Sequence, residues 1–347
     1  MQPIKTALLS YGMSGKVFHA PFIQLHHGFE LAGAWERSKQ TINSIYPTAK
    51  SYNSLESILT DDAIELVIVN TPTYTHYEYA KKSLLAGKHI VVEKAFTTTV
   101  EEAQELIDIS LHTGKKIAVY QNRRWDSDFQ SVKQIIQSGV LGSLCEVEIH
   151  FDRFNLQLSP KQHKEAPNAG AGIVKDLGPH LIDQALFLFG LPQAVFADIR
   201  ITREESVVDD CFEILLYYPT YRVRLKAGYI VKEALPSFIV HGTGGSYLKP
   251  RADVQETLLL QGAIPNTTEW GIEPDNAKGI LHAQKNGTFI KEMITAPNGN
   301  YYYFYDEVYN ALTQNAPMPV TAEDGKNVIA VIEAAFKSSE EKKVITL

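Results

Sequence analysis

Short apolar runs recur along the first third of the chain, separated by segments with helical spacing. Thr6–Leu9, Phe29–Trp35, Glu65–Asn70, Ile90–Val92 and Ile117–Tyr120 read as strands, because brief β-branched runs bounded by turn residues suit a buried sheet. Ser54–Leu59, Thr75–Leu85 and Val100–His112 read as helices, the last two closed by Gly87 and Gly114. Strands alternating with helices in this way predict right-handed βαβ units and a parallel sheet over residues 1–120.

From about residue 121 the pattern changes. Cys145, Val147, Ile149 and Phe151 alternate with Glu146, Glu148 and His150, which predicts an antiparallel-type strand with one drier and one wetter face. Val195–Thr202, Cys211–Tyr218, Tyr221–Ile230, Phe238–Gly242 and Thr288–Ile294 continue as strands. Helices are expected at Phe129–Ser138, Asp176–Phe189, Tyr302–Thr313 and Ala322–Ser338, the last opened by Thr321-Ala322-Glu323-Asp324, a capping-box pattern. Pro250–Lys285 is punctuated by Gly, Pro and Asn and reads as irregular. Residues 121–347 therefore form a second, α+β domain on one large mixed or antiparallel open sheet.

Composition narrows the partners. A chain of 347 residues with 44% hydrophobic content can bury a sizeable core. The net charge of -7 argues against nucleic acid or an anionic membrane surface, since both need a basic face. No run of apolar residues is long enough to span a bilayer, and the first residues lack a signal-peptide pattern. The two cysteines, Cys145 and Cys211, lie in strand-like runs and are expected to be buried free thiols. No Cys/His spacing predicts a metal. A reducing cytoplasm fits best.

The turn after the first strand reads Ser10-Tyr11-Gly12-Met13-Ser14-Gly15. Glycine lets a backbone approach a pyrophosphate, and amide groups opening a helix receive its charge. Glu36 follows about twenty residues later, where an acidic group hydrogen-bonds ribose hydroxyls; an Arg nearby instead accepts a 2′-phosphate. Glu36 points to NAD, Arg37 and Ser38 to NADP, and both cofactors stay open. Thr71 and Pro72, with His76 shortly after, are suited to line the nicotinamide ribose.

Glu93 and Lys94 stand where the strand Ile90–Val92 ends. Ligands of an open parallel sheet bind outside the carboxyl ends of its strands, so the Lys94 ammonium is placed to reach cofactor and substrate. On the expected helix Asp176–Phe189, Asp176 and His180 are i and i+4 and share a face, which Asp183 continues. The carboxylate would orient the imidazole and raise its basicity. His180 could then take a proton from an alcohol while Lys94 steadies the developing alkoxide. Asn122, Arg123 and Trp125, just past the strand Ile117–Tyr120, are suited to bind the hydroxyls of a polyol.

Together these markers resemble the Gfo/Idh/MocA oxidoreductases. The resemblance rests on the glycine turn running on into Gly15-Lys-Val-Phe-His-Ala-Pro21, on Thr71-Pro72 with His76, on Glu93-Lys94, and on Asp176 with His180. It implies a Rossmann domain followed by a mixed-sheet domain, a nicotinamide cofactor, and catalytic positions at Lys94, Asp176 and His180. The Lys-Val-Phe-His-Ala-Pro and Asn-Arg-Arg-Trp-Asp stretches are most similar to the branch of NADP-dependent scyllo-inositol dehydrogenases. That branch implies a cyclic polyol or sugar as substrate and homodimers or homotetramers through the large sheet. A cofactor-sensing regulator and a ketosugar or carbonyl reductase are the competing expectations. Two positions depart from the family pattern. Ser10 replaces the first glycine. Ala95 replaces the proline that usually follows Glu-Lys, so a trans bond or local strain is expected there.

Overall fold

A computed structural model describes residues 2–36, 40–285 and 287–347, without the side chains of Gln162 and His163. The chain forms two compact units: residues 1–122, 255–268 and 300–326 make one, and 123–254, 269–299 and 327–347 the other.

Among the described residues, the first unit holds a six-stranded sheet: Ile4–Leu8 (β1), Phe29–Trp35 (β2), Lys50–Tyr52 (β3), Leu66–Val69 (β4), His89–Glu93 (β5) and Ile117–Tyr120 (β6). Its order is β3-β2-β1-β4-β5-β6, and all its pairings are parallel. Every residue of β4 and β6 is buried, as expected of strands covered on both faces. The helix Val100–Thr113 shows the local logic. The Thr99 side chain accepts from the Glu102 amide, Glu101 and Glu102 occupy the first turn, and Gly114 ends the helix at φ 67°, each matching an N-terminal or C-terminal preference. In the aromatic run Tyr301-Tyr-Tyr-Phe-Tyr305, Tyr301, Phe304 and Tyr305 are fully buried and Tyr303 is exposed.

In the second unit nine strands form one sheet among the described residues: Leu144–Asp152 (β7), Ala194–Arg200 (β8), Cys211–Tyr217 (β9), Arg222–Gly228 (β10), Phe238–Gly242 (β11), Gly245–Lys249 (β12), Gly279–Lys285 (β13), Thr288–Ile294 (β14) and Ile345–Thr346 (β15). The order is β14-β13-β12-β11-β7-β10-β9-β8-β15. Strand β8 meets the helix Ala322–Glu341, where Ser338 and Ser339 hydroxyls accept from the amides of Ala197 and Ile199, each at 2.9 Å.

Several expectations are corrected. β7 is not purely antiparallel: it pairs antiparallel with β11 and parallel with β10, so it sits inside a mixed sheet. Cys145 is exposed, whereas Cys211 is buried. His150, placed on the wetter face, is 2% exposed because Glu148 and Asp152 close over its ring at 2.8 and 3.3 Å. Pro250–Lys285 is not wholly irregular, since it contains the helix Gln255–Leu260 and the strand β13. The helix expected from Asp176 to Phe189 is broken. Ile173–Asp176 is a short helix of its own, and Gly178–Phe189 begins after it with Pro179 in its first turn. Finally, the Lys94–Ala95 bond is cis, not trans; the Ala95 carbonyl is held by the ring of His76 at 2.7 Å.

Candidate active site

In the first unit the strand order reverses between β1 and β4, the switch point where doubly wound sheets bind ligands. The turn after β1 carries Gly12, Met13, Ser14 and Gly15. Gly12 and Met13 are exposed, and the helical stretch opening at Gly15 has no acidic residue in its first turn. A Cβ at Gly15 would lie 2.3 Å from the Ser10 carbonyl oxygen, so only glycine lets the turn close this tightly. Ser10, in place of the first glycine, serves the turn instead: its hydroxyl accepts from the Gly12 amide at 3.2 Å. Asn70, at the end of β4, clasps the turn from the side. Its Oδ1 accepts from the Ser10 amide at 2.9 Å, and its Nδ2 donates to the Ser10 carbonyl at 2.7 Å and to Ser14 Oγ at 3.3 Å. A tight, exposed turn leading into an acid-free helix start fits a dinucleotide pyrophosphate.

Glu36 is 8% exposed and accepts from Thr41 Oγ1 at 2.8 Å and the Ile42 amide at 2.9 Å. Burial raises its pKa, but these hydrogen bonds and the charge of Lys16 outweigh it and hold the carboxyl below its usual range. Arg37 and Ser38 lie outside the described residues. Thr71 and Thr75 hydroxyls meet at 2.6 Å, and Thr75 also donates to the Pro72 carbonyl at 2.7 Å. His76 is buried between two carbonyls, with Nδ1 2.7 Å from Ala95 O and Nε2 2.8 Å from Thr71 O. Burial draws its pKa down against those bonds.

Glu93 closes β5 with Lys94 next in the chain. One Glu93 oxygen accepts from the Lys94 amide at 3.2 Å, and the other lies 3.0 Å from His19 Nε2. Burial pushes the Glu93 pKa up; the hydrogen bond from His19 and the neighbouring charges of His19, Lys94 and His76 prevail and lower it.

The second unit holds the other candidates, beginning directly after the buried Asn122. Arg123 Nη1 pairs with Asp126 at 3.1 Å, its guanidinium lies 5.1 Å from the Phe151 ring centre, and Trp125 is almost wholly buried. Asp126 is buried, and its carboxyl is pushed well above the usual range by burial and by Asp253, against the pull of Arg123 and Arg251. Asp176 ends its short helix and pairs with Lys164 at 2.7 Å. His180 lies in the first turn of the next helix at 6% exposure. Leu177 alone separates the two helices, and its backbone stays in the right-handed helical region. Asp183 does not extend that stripe: it takes a bidentate pair from Arg124 at 2.7 and 2.8 Å. Charge-assisted forks of this kind fix geometry firmly. The clasp of Asn70, the His19–Glu93 contact and the Arg124–Asp183 fork all escape sequence reasoning, since nothing in local spacing pairs residues 59 to 74 positions apart.

A parallel sheet of this strand order, with its glycine turn at the switch point, is the arrangement of a dinucleotide-binding protein. Residues 4–121 match the family description "Oxidoreductase family, NAD-binding Rossmann fold", and residues 133–347 match "Oxidoreductase family, C-terminal alpha/beta domain". The chain belongs to the Gfo/Idh/MocA oxidoreductase family. It is 36% identical to scyllo-inositol 2-dehydrogenase (NADP(+)) IolW of Bacillus subtilis, over 99% of this chain and 96% of that protein. Glucose-6-phosphate 3-dehydrogenase of the same organism is 29% identical over 56% of this chain and 59% of its own length. The crystal structure of an oxidoreductase from Bacillus cereus superposes with a TM-score of 0.91 at 33% identity, over 99% of this chain and 98% of that one. The chain is thus an NAD(P)-dependent oxidoreductase acting on a small molecule. No helix among the described residues is long and apolar enough to cross a membrane.

Proposed function

We propose that the protein interconverts a secondary alcohol of a cyclic polyol or sugar and the corresponding ketone. The observation that carries this reading is the end-to-end likeness to the inositol dehydrogenase IolW, with Lys94, Asp176 and His180 all in place. Residues 1–120 take the dinucleotide; residues 121–347 bind substrate and pair copies into a homodimer or homotetramer.

Gly12, Met13, Ser14 and Gly15 hold the pyrophosphate, while Glu36, Arg37, Ser38, Thr71, Pro72 and Glu93 shape the rest of the dinucleotide site. When bound, the nicotinamide supplies the hydride acceptor. Lys94 donates a hydrogen bond to the substrate oxygen and favours its anionic character. His180 takes the hydroxyl proton, and Asp176 tunes and orients it. Asn122, Arg123 and Trp125 bind the remaining hydroxyls. The same groups acting in reverse return the proton to the oxygen of a ketone.

The test is a screen of inositols, aldoses and ketoses with both NAD and NADP, read at the nicotinamide absorbance band. Turnover of at least one inositol or related cyclic sugar is expected. Binding of NADPH without turnover of any member refutes the proposed substrate class.

A further inference from the structure

Lys94 is flanked in the chain by Glu93 and Ala95, and each neighbour is held by a buried histidine from a different helical segment. His19 lies four residues past Gly15, at the end of the helical stretch that opens there. It is wholly buried, with Nε2 3.0 Å from Glu93 Oε1 and Nδ1 2.6 Å from the Tyr305 hydroxyl. His76 follows the turn after β4 and holds the Ala95 carbonyl. The helical segments that follow the glycine turn and β4 therefore each send an imidazole to a chain neighbour of Lys94.

The hydrogen-bond chemistry at His19 points one way. The Tyr305 phenol can donate to the Phe18 carbonyl at 3.2 Å or to His19 Nδ1. If it donates to Nδ1, the neutral ring carries its proton on Nε2 and gives it to Glu93. If it donates to Phe18, Nδ1–H donates to the phenol. A bare Nε2 lone pair would then face the Glu93 carboxylate, an unfavourable contact, so donation by the phenol to Nδ1 is the arrangement that satisfies both ring nitrogens. In that arrangement Nε2–H donates to Glu93. With no exposed surface, His19 cannot touch a substrate.

We infer that His19 and His76 are positioning residues that clamp the Glu93–Lys94–Ala95 strand end from both sides, so that the loops holding the dinucleotide also set the Lys94 ammonium. This inference rests on the catalytic role proposed for Lys94.

The experiment compares His19→Leu, His19→Gln, Tyr305→Phe and wild type, by crystal structure and by steady-state turnover of the substrate found in the screen. In His19→Leu the Glu93 carboxylate is expected to swing away and the Lys94 backbone to shift by about 1 Å, with kcat falling about 10- to 100-fold and KM for the dinucleotide changing far less. His19→Gln, whose side-chain amide can still donate to Glu93, should recover part of kcat and restore the Glu93 position. Tyr305→Phe keeps the imidazole and should lose only about threefold. If His19→Leu does not fold, His19→Gln and Tyr305→Phe carry the test: equal and severe loss in both, with Glu93 unmoved, overturns the clamp. An unshifted Lys94 in folded His19→Leu, with kcat within about twofold of wild type, overturns it as well. Failure of the substrate reading looks different: wild type itself then turns over nothing in the screen, while the crystallographic shift still reports on the clamp.

Discussion

Replacing Asn70 by alanine isolates what the clasp on the phosphate turn contributes. Three hydrogen bonds disappear, two to the Ser10 backbone at 2.9 and 2.7 Å and a longer one to Ser14 at 3.3 Å. A typical hydrogen bond contributes about 0.5–1.5 kcal/mol net, and more is lost where a buried partner is stranded. Ser10 is only partly buried, so water replaces some of the loss, and about 2 kcal/mol of stability is expected to go. The affinity effect has a separate origin. A turn that must be re-ordered when the dinucleotide arrives loses preorganisation. A tenfold rise in Kd, equal to about 1.4 kcal/mol, is the expected scale. Urea unfolding measures the first quantity, and quenching of protein fluorescence by NADPH the second. A variant that is destabilised yet binds NADPH within about twofold of wild type would refute the reasoning, because the glycine turn would then hold its shape alone.

Four further outcomes are expected. Lys94→Ala should lower kcat/KM by about 100-fold or more while the NADPH Kd moves little; parallel loss of both, measured by kinetics and titration, would make Lys94 chiefly a cofactor ligand. His180→Ala should remove the ionisation that governs proton abstraction from the pH profile of alcohol oxidation, and an unchanged profile would reject His180 as the base. Arg124→Leu leaves Asp183 buried without its fork and should cost about 3–5 kcal/mol in urea unfolding, most of it recovered in Arg124→Leu/Asp183→Leu. Glu93 has its pKa held down in the fold. Its contribution is therefore fully present above its unfolded pKa and is lost as pH falls through the folded value. The stability gap between wild type and Glu93→Gln should accordingly shrink on acidification, and a gap independent of pH would contradict the assignment.

Much of the fold is legible along the chain. Phe29–Trp35, Ile117–Tyr120, Phe238–Gly242 and Thr288–Ile294 form strands with the bounds read from their apolar pattern, because strand period and turn residues are local signals. The glycine turn and the Glu93–Lys94 strand end are legible for the same reason. Other features depend on distant surroundings. The strand β12 and the helix Gln255–Leu260 form within stretches whose composition is ambiguous and are settled by packing. The burial of His150 and the exposure of Cys145 depart from the alternation along β7.

Local pattern alone therefore determined the class of fold, the dinucleotide turn and the residue types available for proton and hydride chemistry. Only the tertiary structure decided which partners hold them: Asn70 on the turn, His19 and His76 beside Lys94, Lys164 on Asp176 and Arg124 on Asp183. Periodicity reports which face of an element is apolar, whereas a hydrogen bond needs two side chains brought within about 3 Å. That proximity is set by the topology of the sheets and by the loops between their strands.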